Sequence, residues 1–503
     1  WDGSVDVSWY NTTAAEFYLG TPAQFAGLAA LVNGHVDSSI TPPEKIIGTF
    51  TPSANYWTGI DDFKGKTIYL AADLDMGGVY DGSTDTWSGP NYTPIGGQWP
   101  TDVNDRSGAD GVNGTVLSTT FNGTLDGQGH TVKNIYCSRW QPAYKDCQSA
   151  GLVGRLGCHD NDDPSLRADN PTVRNVAVTG YIYGNRSIGG IVGKIGKTNK
   201  GGIIENCANF ATVENTDAKG CGGIVGAGWN GGYIKNCYNA GTISSTYNGP
   251  TGGISGSNEI NIYNCFNAGT ITAQSDSFAM GIGSNNGGSQ TVSNCYWLAG
   301  SAPGGGYYNG GSNVNVTEVT DEHMKSAEFL AELNGPGCVF VADTTPNINK
   351  GYPVLAWQNP AAAPAAYAVN FSVTGDNGTL AAAVNDAAIT SGDFIVAGKT
   401  VVFTATPADG YQVKGWTLDG QPVADNKSNT LTMENLAAAT TVTVEFEAIP
   451  VTTYTLTLTG DNISSEPAAG AMAENTSVTI TVAPAAGKQV ATFTVGGVDK
   501  KAE

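Results

Sequence analysis

The chain has 503 residues, enough for roughly two to four domains. Its 68 glycines and only 14% charged residues suit β-structure joined by tight turns and argue against a helical bundle. A net charge of −21, with no basic run to offset it, argues against nucleic acid as a partner, and no apolar stretch is long enough to span a membrane as a helix.

Residues 1–120 read as an irregular N-terminal cap. Within it, Thr21-Pro22-Ala23-Gln24 has a capping Thr, Pro at the first helical position and Gln at the third. Phe25, Leu28, Leu31 and Val32 then fall on one face, and Gly34 ends the helix. Such a helix is placed to plug the open end of a coil, which the strand Thr67-Ile68-Tyr69-Leu70 is expected to begin. No leader-like segment opens the sequence, so Trp1 and Glu503 are expected to be processing or cloning boundaries, with any secretion signal or wall anchor outside them.

From Phe121 a repeat sets in. Asn134, Asn175, Asn206, Asn236, Asn264 and Asn294 recur in similar phrases, at steps of 41, 31, 30, 28 and 30. A second phrase keeps phase with it: Gly189-Gly190-Ile191-Val192-Gly193, Gly222-Gly223-Ile224-Val225-Gly226 and Gly252-Gly253-Ile254-Ser255-Gly256. A third, Asn-Ala-Gly-Thr-Ile, occurs at 239–243 and 267–271. Short β-phrases at a fixed period indicate a solenoid whose coils stack at ~4.8 Å, burying Ile and Val against their equivalents above and below. The long step from Asn134 to Asn175 reads as an insertion, spanning 138–172.

These phrases resemble the GLUG repeats of bacterial surface proteins, over roughly residues 121–297. The resemblance implies an all-β fold, a right-handed parallel β-helix with short capping helices. The β-helix domain is expected at 1–358, with its cap at 1–120, coils at 121–300 and a C-terminal cap at 301–358. In the last part, Thr320-Asp321-Glu322 starts a helix through Met324, Phe329, Leu330 and Leu333, which is expected to cap or flank the stack.

Residues 359–366, opening Asn359-Pro360-Ala361-Ala362-Ala363-Pro364, read as a linker. Beyond it, Val401, Phe403 and Ala405 alternate ahead of Trp416, Leu431 and Val442-Thr443-Val444. This resembles the divergent internalin-type B-repeat modules of Gram-positive surface proteins. One module is expected at 367–449 and a second, incomplete one at 450–503, lacking its closing strands.

Cys207, Cys237, Cys265 and Cys295 share one repeat position and should stack in a row. A row does not converge on a metal, so they read as buried thiols, with a bridge between adjacent coils left open. Cys137, Cys147 and Cys158 are the best candidates for a disulfide. Asp160, Asp162 and Asp163, with Asp169 nearby, are oxygen ligands that could hold calcium or simply form a solvated loop; no other cofactor is indicated. Asp126 reads as a turn residue rather than a catalytic acid, and Arg155, Arg167, Arg174 and Arg186 as surface scatter rather than a groove for an acidic glycan.

GLUG-type repeats also occur in large secreted immunoglobulin-A peptidases, but no His-Glu-x-x-His stands here, nor a serine elbow, P-loop or dinucleotide fingerprint. Trp57, Trp87, Trp99 and Trp140 are candidate sugar-stacking residues, alongside Tyr80 and Tyr92. The sequence thus points to a secreted or wall-attached, non-catalytic rod or binding platform for a glycan or a host or bacterial surface. A β-helix polysaccharide lyase or glycosidase, or an accessory region of a larger secreted enzyme, is the alternative. Ligand contact is expected in the entry region and in 138–172.

Overall fold

A computed structural model describes residues 1–33, 61–100, 116–138, 149–157, 168–196, 201–216, 220–228, 232–284, 290–308, 314–335, 337–344, 347–362 and 364–500. Strands dominate and the helices are few and short, so the chain is all-β. It divides into two compact units, Trp1–Ala366 and Tyr367–Glu503.

In the first unit the chain winds repeatedly through three parallel sheets. The largest has 15 strands, and its main path takes Glu16–Leu19, Thr67–Leu70, Thr124–Cys137, Thr172–Gly184, Gly202–Glu205, Gly232–Lys235 and Asn261–Asn267 in chain order. Val292–Leu298 and Val314–Val319 then extend it. The second sheet stacks Ser149–Ala150, Ser187–Gly189, Cys221–Gly222, Thr251–Gly252 and Ala279–Met280. The third stacks Val153–Leu156, Val192–Ile195, Val225–Gly228 and Ser255–Asn258. Register is set by apolar columns: Leu125, Val173, Ile204, Ile234, Ile262 and Val292 pair in succession, each 0% exposed. Burying each such side chain contributes ~1.5–3 kcal/mol.

Two amide columns mark the corners. Asn206, Asn236, Asn264 and Asn294 each donate Nδ2 to the Oδ1 of the Asn one winding earlier, at 3.1, 3.1, 2.7 and 2.6 Å. Asn175 donates to Asp126 Oδ1 at 3.0 Å, so Asp126 ends this column. The asparagines hold φ between 52 and 57°, a left-handed conformation that Asn tolerates better than other side-chain-bearing residues. Asn134 shares that conformation but lies at a different corner, where its Nδ2 bonds Asp75 and its N–H donates to Thr179 Oγ1. The equivalence of Asn134 and Asn175 expected from sequence is therefore wrong. Register shifts between Arg174 and Val176 and between Val178 and Gly180 offset the two windings. Nor is 138–172 wholly an insertion, because Ser149–Ala150 and Val153–Leu156 are regular members of the two smaller sheets.

The second column is fully buried. Asn209 donates to Asn239 and Asn239 to Asn267, both at 2.8 Å. It explains the paired glycines: a Cβ on Gly190, Gly223 or Gly253 would come within 2.3, 2.5 or 2.4 Å of the amides of Asn209, Asn239 and Asn267. Trp297, opposite Asn267, ends the column and lies against Gly281 and Gly306.

The stack begins earlier than expected, at Glu16–Leu19 rather than at Thr67–Leu70, because Glu16–Leu19 pairs in parallel with the latter. Helix α1, Pro22–Asn33, starts as read: Thr21 Oγ1 accepts from the Gln24 N–H at 3.2 Å. Gln24 Oε1, however, accepts from the Gly20 N–H. Phe25 through Asn33 are all buried, not one face alone, in the same apolar core as Phe17, Ile68 and Ile95. Gly34 lies outside the described residues.

Helices α2 (Asp321–Met324) and α3 (Ala327–Asn334) carry capping bonds from Thr320 and Ser326. With Phe340–Val341 and Val354–Leu355 they pack on the outward column Ala177, Ala208, Tyr238 and Phe266. Trp357 Nε1 donates to Asn206 O and Asn294 Nδ2 to Leu333 O. The helical segment, expected to cap or flank the stack, is thus a brace along one flank of several windings, whereas Val314–Val319, expected from sequence in the cap at 301–358, is a strand of the stack itself. Asn359, read as opening the linker, is buried and donates to Ala342 O at 3.2 Å.

In the second unit, a five-stranded and a four-stranded sheet enclose one core. Val401, Phe403 and Ala405 are buried and alternate with exposed residues, and Trp416 is buried with its Nε1 donating to Ser428 O. Residues 450–500 form three two-stranded antiparallel pairs, Thr453–Leu456 with Gly470–Ala473, Ile463–Glu466 with Thr479–Val482 and Thr494–Val495 with Val498–Asp499, the first two interleaved along the chain, and none of their described side chains is buried.

Candidate functional site: an aromatic and acidic groove

A groove of about 720 Å³ runs over the outer face of the largest sheet, lined among others by Tyr80, Asp85, Trp87, Tyr136, Tyr181 and Glu214. Its near wall is a hairpin of Val79–Asp81 and Thr86–Ser88, in which Tyr80 and Trp87 are partners. Asp81 Oδ1 accepts from the Ser83 N–H at 2.9 Å, folding its turn, and Asp85 closes it at φ 54°. The turn sets the Tyr80 and Trp87 rings 5.5 Å apart and brings Trp87 over Tyr181 at 6.5 Å, with planes 16° apart.

Tyr181 is held by strand alternation. Ile182 points into the core, so Tyr181 and Tyr183 point out, their rings 6.4 Å apart and inclined by 19°. Tyr136, the partner of Tyr181 on the preceding winding, adds a ring at 6.4 Å and 24°. The result is a row of near-parallel, half-buried rings.

Two carboxylates border this row. Tyr181 donates its hydroxyl to Glu214 Oε2 at 2.7 Å, and Tyr80 to Asp85 Oδ1 at 2.6 Å. Burial, then the Glu214 carboxylate, pushes the Tyr181 phenol up, and the bond to Asp85 pushes the Tyr80 phenol up. Both hydroxyls therefore remain protonated donors at neutral pH. Flat apolar faces beside fixed oxygen acceptors suit a ligand with C–H faces and hydroxyl edges.

Of the residues singled out from sequence, Trp87 and Tyr80 stand in this groove, while Tyr92 is buried in the core. Trp57 and Trp140 lie outside the described residues, and Trp99 sits in the strand Gly97–Pro100, paired with Leu117. Asp160, Asp162, Asp163, Cys147, Cys158 and Arg167 also lie outside them. Among the described residues no group of three or more His, Cys, Asp or Glu could hold a metal ion. Asp126 is 2% exposed and occupied by Gln128, Arg174 and Asn175. Arg155 and Arg186 are buried rather than scattered on the surface as expected, and Arg174 Nε pairs with the buried Asp126 at 2.9 Å.

Cys207, Cys237, Cys265 and Cys295 form the expected row of buried thiols without bridges. The Cys207 and Cys237 N–H groups point at the next sulfur, at 3.4 Å. Burial pushes the Cys237 and Cys295 thiols well above their ordinary range.

Tyr136, Tyr181, Tyr183 and Glu214 were missed in the sequence. Tyr136 follows its left-handed Asn by two residues and Tyr181 follows its own by six, and only the register shifts align them.

Comparison with known proteins adds three likenesses. Halomucin of Haloquadratum walsbyi (strain DSM 16790 / HBSQ001) is 27% identical over 213 residues, 38% of this chain and 2% of that protein. The chain therefore spans about 2% of the length of this curated relative. A solved Bacteroides ovatus chain, described as an immunoglobulin A1 protease candidate, is 19% identical with a TM-score of 0.41, covering 68% of this chain and 92% of that one. Residues 369–450 match the family described as the divergent InlB B-repeat domain, where the internalin-type module was expected.

Proposed function

We propose that the windings form a right-handed parallel β-helix of GLUG type in an extracellular surface protein, and that this rod carries a non-catalytic glycan-binding groove centred on Trp87 and Tyr181. The row of near-parallel rings at Trp87, Tyr181, Tyr136 and Tyr183, bordered by Glu214, carries this reading. The B-repeat module and the likeness to part of halomucin support the extracellular setting.

A glycan array followed by titration calorimetry tests it. Trp87→Ala and Tyr181→Ala should each weaken binding about tenfold, the equivalent of ~1.4 kcal/mol. A wild-type protein that retains no glycan would refute the reading.

The two carboxylates bordering the groove favour a second reading, a carbohydrate-active enzyme, since glycoside hydrolysis requires a carboxyl pair. Each carboxylate here accepts from a tyrosine hydroxyl of the same groove, which supports a positioning role. Release of reducing ends that is lost in Glu214→Gln would establish the enzyme instead.

A further inference from the structure

We infer that the groove takes an extended, uncharged polysaccharide laid along the stack across several windings, rather than a single terminal sugar. This rests on the glycan reading above and goes beyond it in ligand charge, length and direction.

The register carries the argument. Tyr136, Tyr181 and Thr212 are partners on successive windings. Thr242 and Thr270 continue the same column, because the Val213 N–H donates to Thr242 O and the Ile243 N–H to Thr270 O, both at 2.9 Å. A parallel column two residues on runs Tyr183, Glu214, Ser244 and Thr272. Buried Ile182, Val213, Ile243 and Ile271 lie between the columns and turn both outward. Windings ~4.8 Å apart thus prolong the ring row as a ribbon of hydroxyls. Thr242, Thr270 and Thr272 are exposed on it. Hydroxyls both donate and accept, which matches the edges of a sugar chain.

Charge selects the class. Among the described residues lining the groove none is Lys, Arg or His, while Asp85 and Glu214 face it on a molecule of net charge −21. Uronates and sulfated chains are repelled from such a surface. A peptide is disfavoured for a different reason. This is a sheet face, its main-chain groups engaged between windings, so it offers an extended peptide no strand edge to pair with.

The test is calorimetry of the full chain with neutral gluco-, manno- and xylo-oligosaccharides from disaccharide to octasaccharide, beside polygalacturonate and heparan sulfate. Affinity should rise at least about tenfold from disaccharide to hexasaccharide for the preferred series. Thr270→Val combined with Thr272→Val should remove most of that gain, and the acidic polymers should not bind. Affinity independent of length, or equal binding of the acidic polymers, overturns the inference while leaving glycan binding intact. No binding by any glycan overturns the reading beneath it as well.

Discussion

Asn236 shows what a single position in the windings must satisfy. Its φ of 57° is left-handed, and its amide donates to Asn206 and accepts from Asn264. Alanine would lose both bonds and also incur the left-handed strain, whereas glycine would lose the bonds alone. Asn236→Ala should therefore be the less stable of the two variants by about 1 kcal/mol, read from denaturant midpoints. Asn206, Asn264 and Asn294 are constrained in the same way, which is why one residue type recurs at this corner. Gly223 is constrained by space instead: an added Cβ would stand 2.1 Å from Gly253 O and 2.5 Å from Asn239 Cγ. Both neighbours lie in the stacked windings, so Gly223→Ala should cost about 3 kcal/mol in the same measurement.

At the scale of elements, the cysteine row serves as packing. Cys207, Cys237 and Cys265 are 0% exposed and Cys295 is 1% exposed. Alkylation of native protein at pH 8 followed by peptide mapping should leave these four unlabelled, and denaturant should expose all four together. The two-stranded pairs of 450–500 present the opposite case. Their alternation at Val478, Ile480 and Val482 is that of a half-buried strand, yet all three remain partly exposed, and each sheet of this segment has only two strands. An isolated two-stranded sheet has little stability alone. Deleting 451–503 should leave the unfolding transition of 367–449 unchanged, as followed by the fluorescence of its buried Trp416.

At the scale of the molecule, a stack of windings is close to one-dimensional, each winding depending mainly on its neighbours. Two segments break that simplicity. The brace at 320–358 ties together windings from Asn206 to Asn294 through Trp357 and Leu333. The hairpin at 79–88 crosses onto the sheet face and places Trp87 over Tyr181, 94 residues later in the chain. Both are long-range contacts, and the groove depends on the second.

The sequence by itself determined what repeats locally. The period near 30, the inward Ile and Val, the buried cysteine row and the alternation at 401–405 are all written as short patterns, because each winding must present the same side chains to the one before it. Trp87 was legible as a candidate from its chemistry alone. The tertiary structure decided the rest: the corner occupied by Asn134, the flank taken by the brace, and the assembly of Tyr136, Tyr181 and Glu214 beneath Trp87. The reason is register. Two shifts between neighbouring windings change which residues meet, and no periodic reading of one strand records how far its neighbour has slipped.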